Sequence, residues 1–303
     1  MKIISILLGV LLAVPAAFGA AATHGSEAAP AGVFVPGRFL SVAGSPDGSA
    51  YLLATDHRVV RVKADGSQEA IALPRISESK QGDRFCDLSA DGKTLSFCGF
   101  PFPVVFVLSL KDTTKFEIAR PSDQEATSLH LLNISRSGEG WRLRDADGVV
   151  LEMQNGKPLR RLPAHAALEA GARGSAIVLP PPGAGKGAIQ PGRVQKEDGS
   201  LIWVAPTPEA PRRVMSVEYL GIDPDQRLIF NVMTGSGELD SVWTLYAVRG
   251  GKTVASRVIP GPGRLTLQRP CRLAPDGTIL LVQAAAEGKE GVILERIRLS
   301  NKD

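Results

Sequence analysis

Four polar side chains occupy one position of an internal repeat: Arg84, His130, Glu218 and Arg269 each fall seven residues before a turn, centred on Asp91, Ser137, Asp225 and Asp276. In the first unit Leu40 holds that place before Asp47. Two guanidinium groups, an imidazole and a carboxylate brought onto one ring would suit a polar or anionic ligand, because each Arg presents a rigid fork of donors. The same groups would serve as ordinary ion pairs and hydrogen bonds between neighbouring units, with Asp83, Asp87 or Glu218 satisfying the two arginines. Both readings stand at this level.

Cys86 and Cys98 flank the Asp91-Gly92 turn, so both belong to one hairpin, and an oxidising compartment would permit a disulfide between them. Cys86 and Cys271 also stand five residues before their turns, where Val42, Leu132 and Leu220 stand in other units. That equivalence supports the other reading, in which they are buried thiols that pack as small apolar side chains. Cys271 is expected to be free and buried.

Other chemistry finds little support. The sequence holds no Cys-x-x-Cys-His, His-Glu-x-x-His or Gly-x-Ser-x-Gly motif. Gly250-Gly251-Lys252-Thr253 has Tyr246 where a phosphate loop needs its leading Gly, so it reads as a hairpin turn. His24, His57, His130 and His165 are scattered, none at metal-ligand spacing from another. No catalytic residue, metal or cofactor is assigned. The net charge of +4 is too small to imply nucleic acid.

The elements that must position these residues begin with an N-terminus typical of exported chains. Lys2, the apolar run from Ile3 to Val14 and the small residues up to Ala21 are the three parts of a secretory signal, with cleavage expected after Gly19 or Ala21. Residues 22–32 are rich in Ala, Pro, Gly and Ser and read as a flexible leader. Residues 33–303 form the remaining domain, in which no apolar run is long enough to cross a bilayer. A periplasmic or secreted location follows from this pattern.

Within that domain a turn recurs as Ser45-Pro46-Asp47-Gly48, Ser89-Ala90-Asp91-Gly92 and Ala274-Pro275-Asp276-Gly277, with weaker forms at Ser135 to Gly138 and Asp223 to Gln226. From Asp47 to Asp91 is 44 residues, from Asp91 to Ser137 is 46 and from Asp225 to Asp276 is 51; the 88 residues between Ser137 and Asp225 leave room for two units. Pro presets φ, Asp bonds its own backbone and Gly supplies the left-handed residue that closes a hairpin. Short apolar strands flank each turn, and second turns at Asp65-Gly66, Asn155-Gly156, Asp198-Gly199 and Gly250-Gly251 lead to a fourth strand. Four antiparallel strands per unit of about 45 residues are the make-up of a propeller blade. The expectation is an all-β chain, a β-propeller of six four-stranded blades, with Gly32-Val33-Phe34-Val35 pairing into the last one.

The Ser-Pro-Asp-Gly turn, apolar strand, loop, second apolar strand and Asp-Gly turn resemble the repeat of TolB-type β-propellers, relatives of the WD-repeat class. Residues 39–73, 85–119 and 271–299 carry the resemblance best. The unit around residues 174–214 departs from it, with Pro-rich loops and no clear first turn. The resemblance implies a fold and leaves function open, since one propeller scaffold hosts many tasks. A binding or scaffold module, with another exported or envelope protein as partner, is the first reading; Phe100 and Phe102, in an apolar connection, are candidates for that contact. The alternative is a propeller enzyme, a hydrolase or lyase, using His130 and Glu218 at the channel mouth.

Overall fold

The structure is a computed structural model that describes residues 32–75, 84–100, 103–123, 131–181, 192–236 and 240–300, with backbone alone at Arg84, Phe100 and Leu131. The signal segment 1–21, leader residues 22–31, His130 and Phe102 lie outside the described residues.

Consecutive antiparallel strands hydrogen-bond into six sheets, one per blade. Blade 1 runs Phe39–Gly44, Ala50–Ala54, Arg58–Val62, Gln68–Ala72, and blade 2 runs Arg84–Ala90, Thr94–Phe100, Val105–Ser109, Asp112–Ala119. Blade 3 is Leu131–Ser137, Gly140–Asp145, Val150–Met153, Arg160–Arg161; blade 5 is Arg213–Ile222, Leu228–Gly235, Val242–Arg249, Lys252–Ile259. Blade 6 takes Cys271–Leu273, Ile279–Ala284 and Gly291–Ile297 from the C-terminal end, then Val33–Pro36 from the N-terminal end, with Val33 opposite Leu294. This closure is the expected one. It covers an edge that would otherwise present unpaired backbone groups.

Blade 4 is irregular. It has three regular strands, Ile177–Val178, Arg193–Lys196 and Leu201–Val204, and its inner position is taken by the segment at Ala166, joined to Val178 by a single bridge. The helical element among the described residues is one turn, Ala172–Gly174, and no helix is long and apolar enough to cross a membrane.

The core lies between blades. Among the described residues six clusters of buried apolar side chains occur, and each joins two neighbouring blades around the whole ring. Phe85 of blade 2, for example, meets Phe97, Phe106 and Phe116 at centroid distances of 5.0, 5.7 and 5.6 Å and stacks on His57 of blade 1 at 5.6 Å. A single blade supplies one side of each of the two clusters that flank it, so no blade has a core of its own.

The recurrent turns explain their composition. Asp47, Asp91 and Asp276 each accept a hydrogen bond from the backbone N–H two residues on, at 3.0, 2.9 and 3.0 Å. Gly277 takes φ +84°, and a β-carbon there would stand 2.7 Å from Pro224 in the turn of blade 5. Pro and Gly of adjacent turns therefore pack on each other across the blade boundary.

Candidate functional site

The inner strands line the central channel, and in blades 1, 2, 3 and 5 a bulge sets which side chains face it. Pairing skips Leu40 in blade 1, Cys86 in blade 2, Leu132 in blade 3 and Leu220 in blade 5. The first three are spaced 46 residues apart. A bulge inserts one residue and reverses the alternation beyond it. As a result Ser41, Asp87 and Asn133, each one residue past the bulge, converge.

Asp87 is the centre of that convergence. It is 1% exposed and accepts hydrogen bonds from the Ser41 hydroxyl, the N–H groups of Leu88 and Ile134 at 2.9 Å each, and Arg272 Nη2 at 2.5 Å. Asn133 Nδ2 lies 3.5 Å from its second oxygen. A buried carboxylate is tolerated where donors surround it in this way.

From Asp87 an ionic chain crosses the channel. Arg272 reaches Glu169 Oε1 at 3.4 Å; Glu169 Oε1 also accepts from Arg269 Nη2 at 2.8 Å, and Arg269 Nε donates to Glu218 Oε1 at 3.0 Å. Asp87, Glu169, Glu218 and the two arginines belong to blades 2, 4, 5 and 6. Burial acts against the Arg269 charge, yet Glu169 and Glu218 outweigh it and hold its pKa above the ordinary arginine value. Ser135 of blade 3 donates to the second oxygen of Glu169.

Side chains also replace the regular inner strand that blade 4 lacks. The fully buried Arg142 donates to the carbonyls of Glu169 and Gly174 at 2.9 and 2.7 Å while pairing with Glu152 at 2.8 Å. Tyr219 Oη donates to the Ala170 carbonyl at 3.2 Å. Burial, then the Glu169 charge, push the Tyr219 phenol well above its usual range, so it stays a donor.

The chain divides the channel into two cavities. A smaller one, about 150 Å³, is lined by Gly44, Ala90, Ser135, Arg136, Glu169 and Arg272, toward the ends of the inner strands. A larger one, about 440 Å³, opens toward their beginnings, with Arg144, Glu218 and Arg269 among its walls and Leu168, Leu179 and Trp243 as apolar surface.

Two of the four site residues read from the repeat, Glu218 and Arg269, meet in an ion pair. Arg84 begins its inner strand opposite Phe100, and neither side chain is described. His130 and Phe102 fall outside the described residues. Cys86 and Cys98 form no disulfide: both are free thiols, as is Cys271. The bulge is the reason, since it leaves Cys86 without a cross-strand partner and sets Asp87 opposite Cys98.

Sequence reasoning missed Ser41, Asn133, Arg144, Glu169 and Arg272, and named Asp87 only as a partner for Arg84 or Arg269. The equal spacing of Ser41, Asp87 and Asn133, 46 residues in each step, is the signal that would have grouped these three. Glu169 had none, because its blade has no recognisable turn.

Six sheets in a closed ring around a channel define a β-propeller. In solved structures the PQQ-bound aldose sugar dehydrogenase from Streptomyces coelicolor is similar, at 12% identity over 89% of this chain and 97% of that one, with a TM-score of 0.52. The WD40 β-propeller domain of Doa1 aligns at 12% identity over 88% of this chain and 96% of that domain, TM-score 0.48. YCF48 bound to a D1 peptide aligns at 13% identity over 89% and 94%, TM-score 0.43. No protein-family model and no curated protein matches the chain.

Proposed function

We propose that the chain is an exported binding module of the TolB-type propeller group, whose cavity at the beginning of the inner strands receives a ligand or a projecting group of an envelope partner. The observation that carries this reading is the division of the channel. Asp87, Glu169, Glu218, Arg269 and Arg272 are engaged with one another, which supports a structural role for them, while a cavity of about 440 Å³ remains beside them. That volume lies in the range of small-molecule sites. The signal-like N-terminus supports export.

Of the pair that motivates the enzyme reading, Glu218 accepts from Arg269 through Oε1 and His130 lies outside the described residues. The test is expression of the full chain in a bacterial host. The protein is expected in the periplasmic fraction, beginning at Ala20 or Ala22, and its Tm is expected to rise with some members of a panel of small organic anions, cations and neutral compounds. Retention in the cytoplasm with the N-terminus intact would overturn export. A Tm moved by no class of compound at millimolar concentration would overturn the binding module.

A further inference from the structure

Arg144 stands where two cavities meet. It lines the 440 Å³ cavity at the channel mouth and also a neighbouring one of about 230 Å³, and both share Leu179, Ser216 and Val217 as walls. The strand Gly140–Asp145 of blade 3 delivers it there, paired with Asn133 and Val150 on either side. Alternation along that strand explains the direction: its neighbours Leu143 and Asp145 are buried on the other face, and Arg142, two residues back, is spent on blade 4.

Unlike the other cations of the channel, Arg144 has no carboxylate within ion-pair distance among the described residues. Its hydrogen bond is a long one, Nη2 to the Ala166 carbonyl at 3.5 Å. Arg269 beside it is matched by Glu169 and Glu218, and Arg272 by Asp87. Over the whole cluster three cations face three carboxylates, but each carboxylate touches Arg269 or Arg272 and none touches Arg144. On the wall of the larger cavity alone, Arg144, Arg269 and Glu218 leave one net positive charge. Burial, and then the Arg269 charge, depress the Arg144 pKa, which is the behaviour of a cation short of a counter-ion.

The rest of the wall is mostly apolar, with Asn133, Ser216, Tyr219 and Gln268 as its polar members. Leu132, Leu168, Leu179, Val217, Trp243 and Pro270 face the same space. A guanidinium prefers a planar two-oxygen partner that accepts both arms of its fork. Inorganic phosphate would match the charge and leave the apolar wall wet. A carboxylate carried on an apolar body satisfies both.

We propose that this cavity binds an organic monocarboxylate with an apolar body, the carboxylate held by Arg144 and the body lying on Leu168, Leu179 and Trp243. The proposal rests on the binding-module reading and adds the class of ligand and its anchoring residue. Glu218 opposes a second negative charge, so dicarboxylates bind less well than monocarboxylates of the same length.

The experiment uses the mature chain and four probes: 3-phenylpropionate, the matched 3-phenylpropylamine and 3-phenylpropan-1-ol, and acetate as a head group without a body. Titration is followed by calorimetry and by Trp243 emission; the other tryptophans, Trp141 and Trp203, are buried. 3-Phenylpropionate is expected to bind at least tenfold more tightly than the amine, the alcohol or acetate. Arg144→Gln is expected to weaken it tenfold or more with an unchanged Tm, because no ion pair is lost, and Arg144→Lys to give an intermediate value. Trp243→Phe is expected to abolish the fluorescence response while calorimetric binding persists. Preference for the amine or alcohol, or Arg144→Gln binding as well as the parent, would overturn the ligand class while leaving a binding module. Binding of none of the four would overturn the proposal; only the wider panel above bears on the module itself.

Discussion

Burial pushes the thiols of Cys98 and Cys271 well above their ordinary range, with Asp87 adding to the first and Glu218 to the second; Cys86, less buried, is raised in the same direction. Since the thiolate is the reactive form, all three should resist alkylation in the folded protein. The chain purified without reductant is expected to show three reactive thiols in strong denaturant and slow reaction of each in its absence at pH 8. A count of one in denaturant would mean that Cys86 and Cys98 are joined and that the bulge between Phe85 and Asp87 is misplaced. The bulge also shows why residue-level reading went only part of the way. Counting back from the turns brought out Glu218 and Arg269, which pair, and Asp87 as a partner for an arginine, but the residue inserted in blade 2 reverses the faces there, so the central place of Asp87 was not seen, and Arg272 was passed over beside the buried Cys271.

At the scale of the element, the turns were legible because their chemistry is local. Gly277 (φ +84°) and Gln226 (φ +59°) hold the same left-handed position in the turns of blades 6 and 5. Gly277→Ala is expected to destabilise by about 1–3 kcal/mol, from backbone strain and the contact with Pro224. Gln226→Gly is expected to stabilise by about 0.5 kcal/mol, relief of strain being partly offset by glycine's entropy. Urea unfolding measures both; equal signs would contradict the equivalence of the two turns.

Turn carboxylates also give a pH dependence. Burial alone would raise Asp47 and Asp91, but backbone and side-chain hydrogen bonds outweigh it, and Asp65 and Asp198 are lowered chiefly by the hydroxyls of Ser67 and Ser200. A depressed native pKa contributes stability above the unfolded value near 3.8 and loses it as the pH falls through the lower native value. The urea midpoint is therefore expected to be steady near pH 6 and to drop below about pH 4, with Asp47→Asn and Asp91→Asn each reducing the drop. A midpoint unchanged down to pH 3 would contradict this. The inner segment of blade 4 escaped the reading for the opposite reason: Arg142 and Tyr219, from neighbouring blades, hold it, and no local turn announces it.

Over the whole molecule, six interblade cores and the pairing of Val33–Pro36 with Gly291–Ile297 close the ring, and the ionic chain braces it across the channel. The architecture was legible because period and turn spacing are global patterns, whereas the brace is assembled from single residues of distant units. Its role decides between a channel whose charged groups are occupied with one another and one whose groups are free for chemistry. The direct measurement is a double-mutant cycle on Asp87 and Arg272, whose groups lie 2.5 Å apart, using Asp87→Leu and Arg272→Met and urea unfolding of the mature chain. Each single replacement takes from a buried charge its nearest ionic partner and is expected to cost about 3–5 kcal/mol. The double variant is expected to cost about 2 kcal/mol less than the two losses together, the coupling of a true brace. Losses that add to within about 0.5 kcal/mol would contradict it, and the channel charges would then be free for another use.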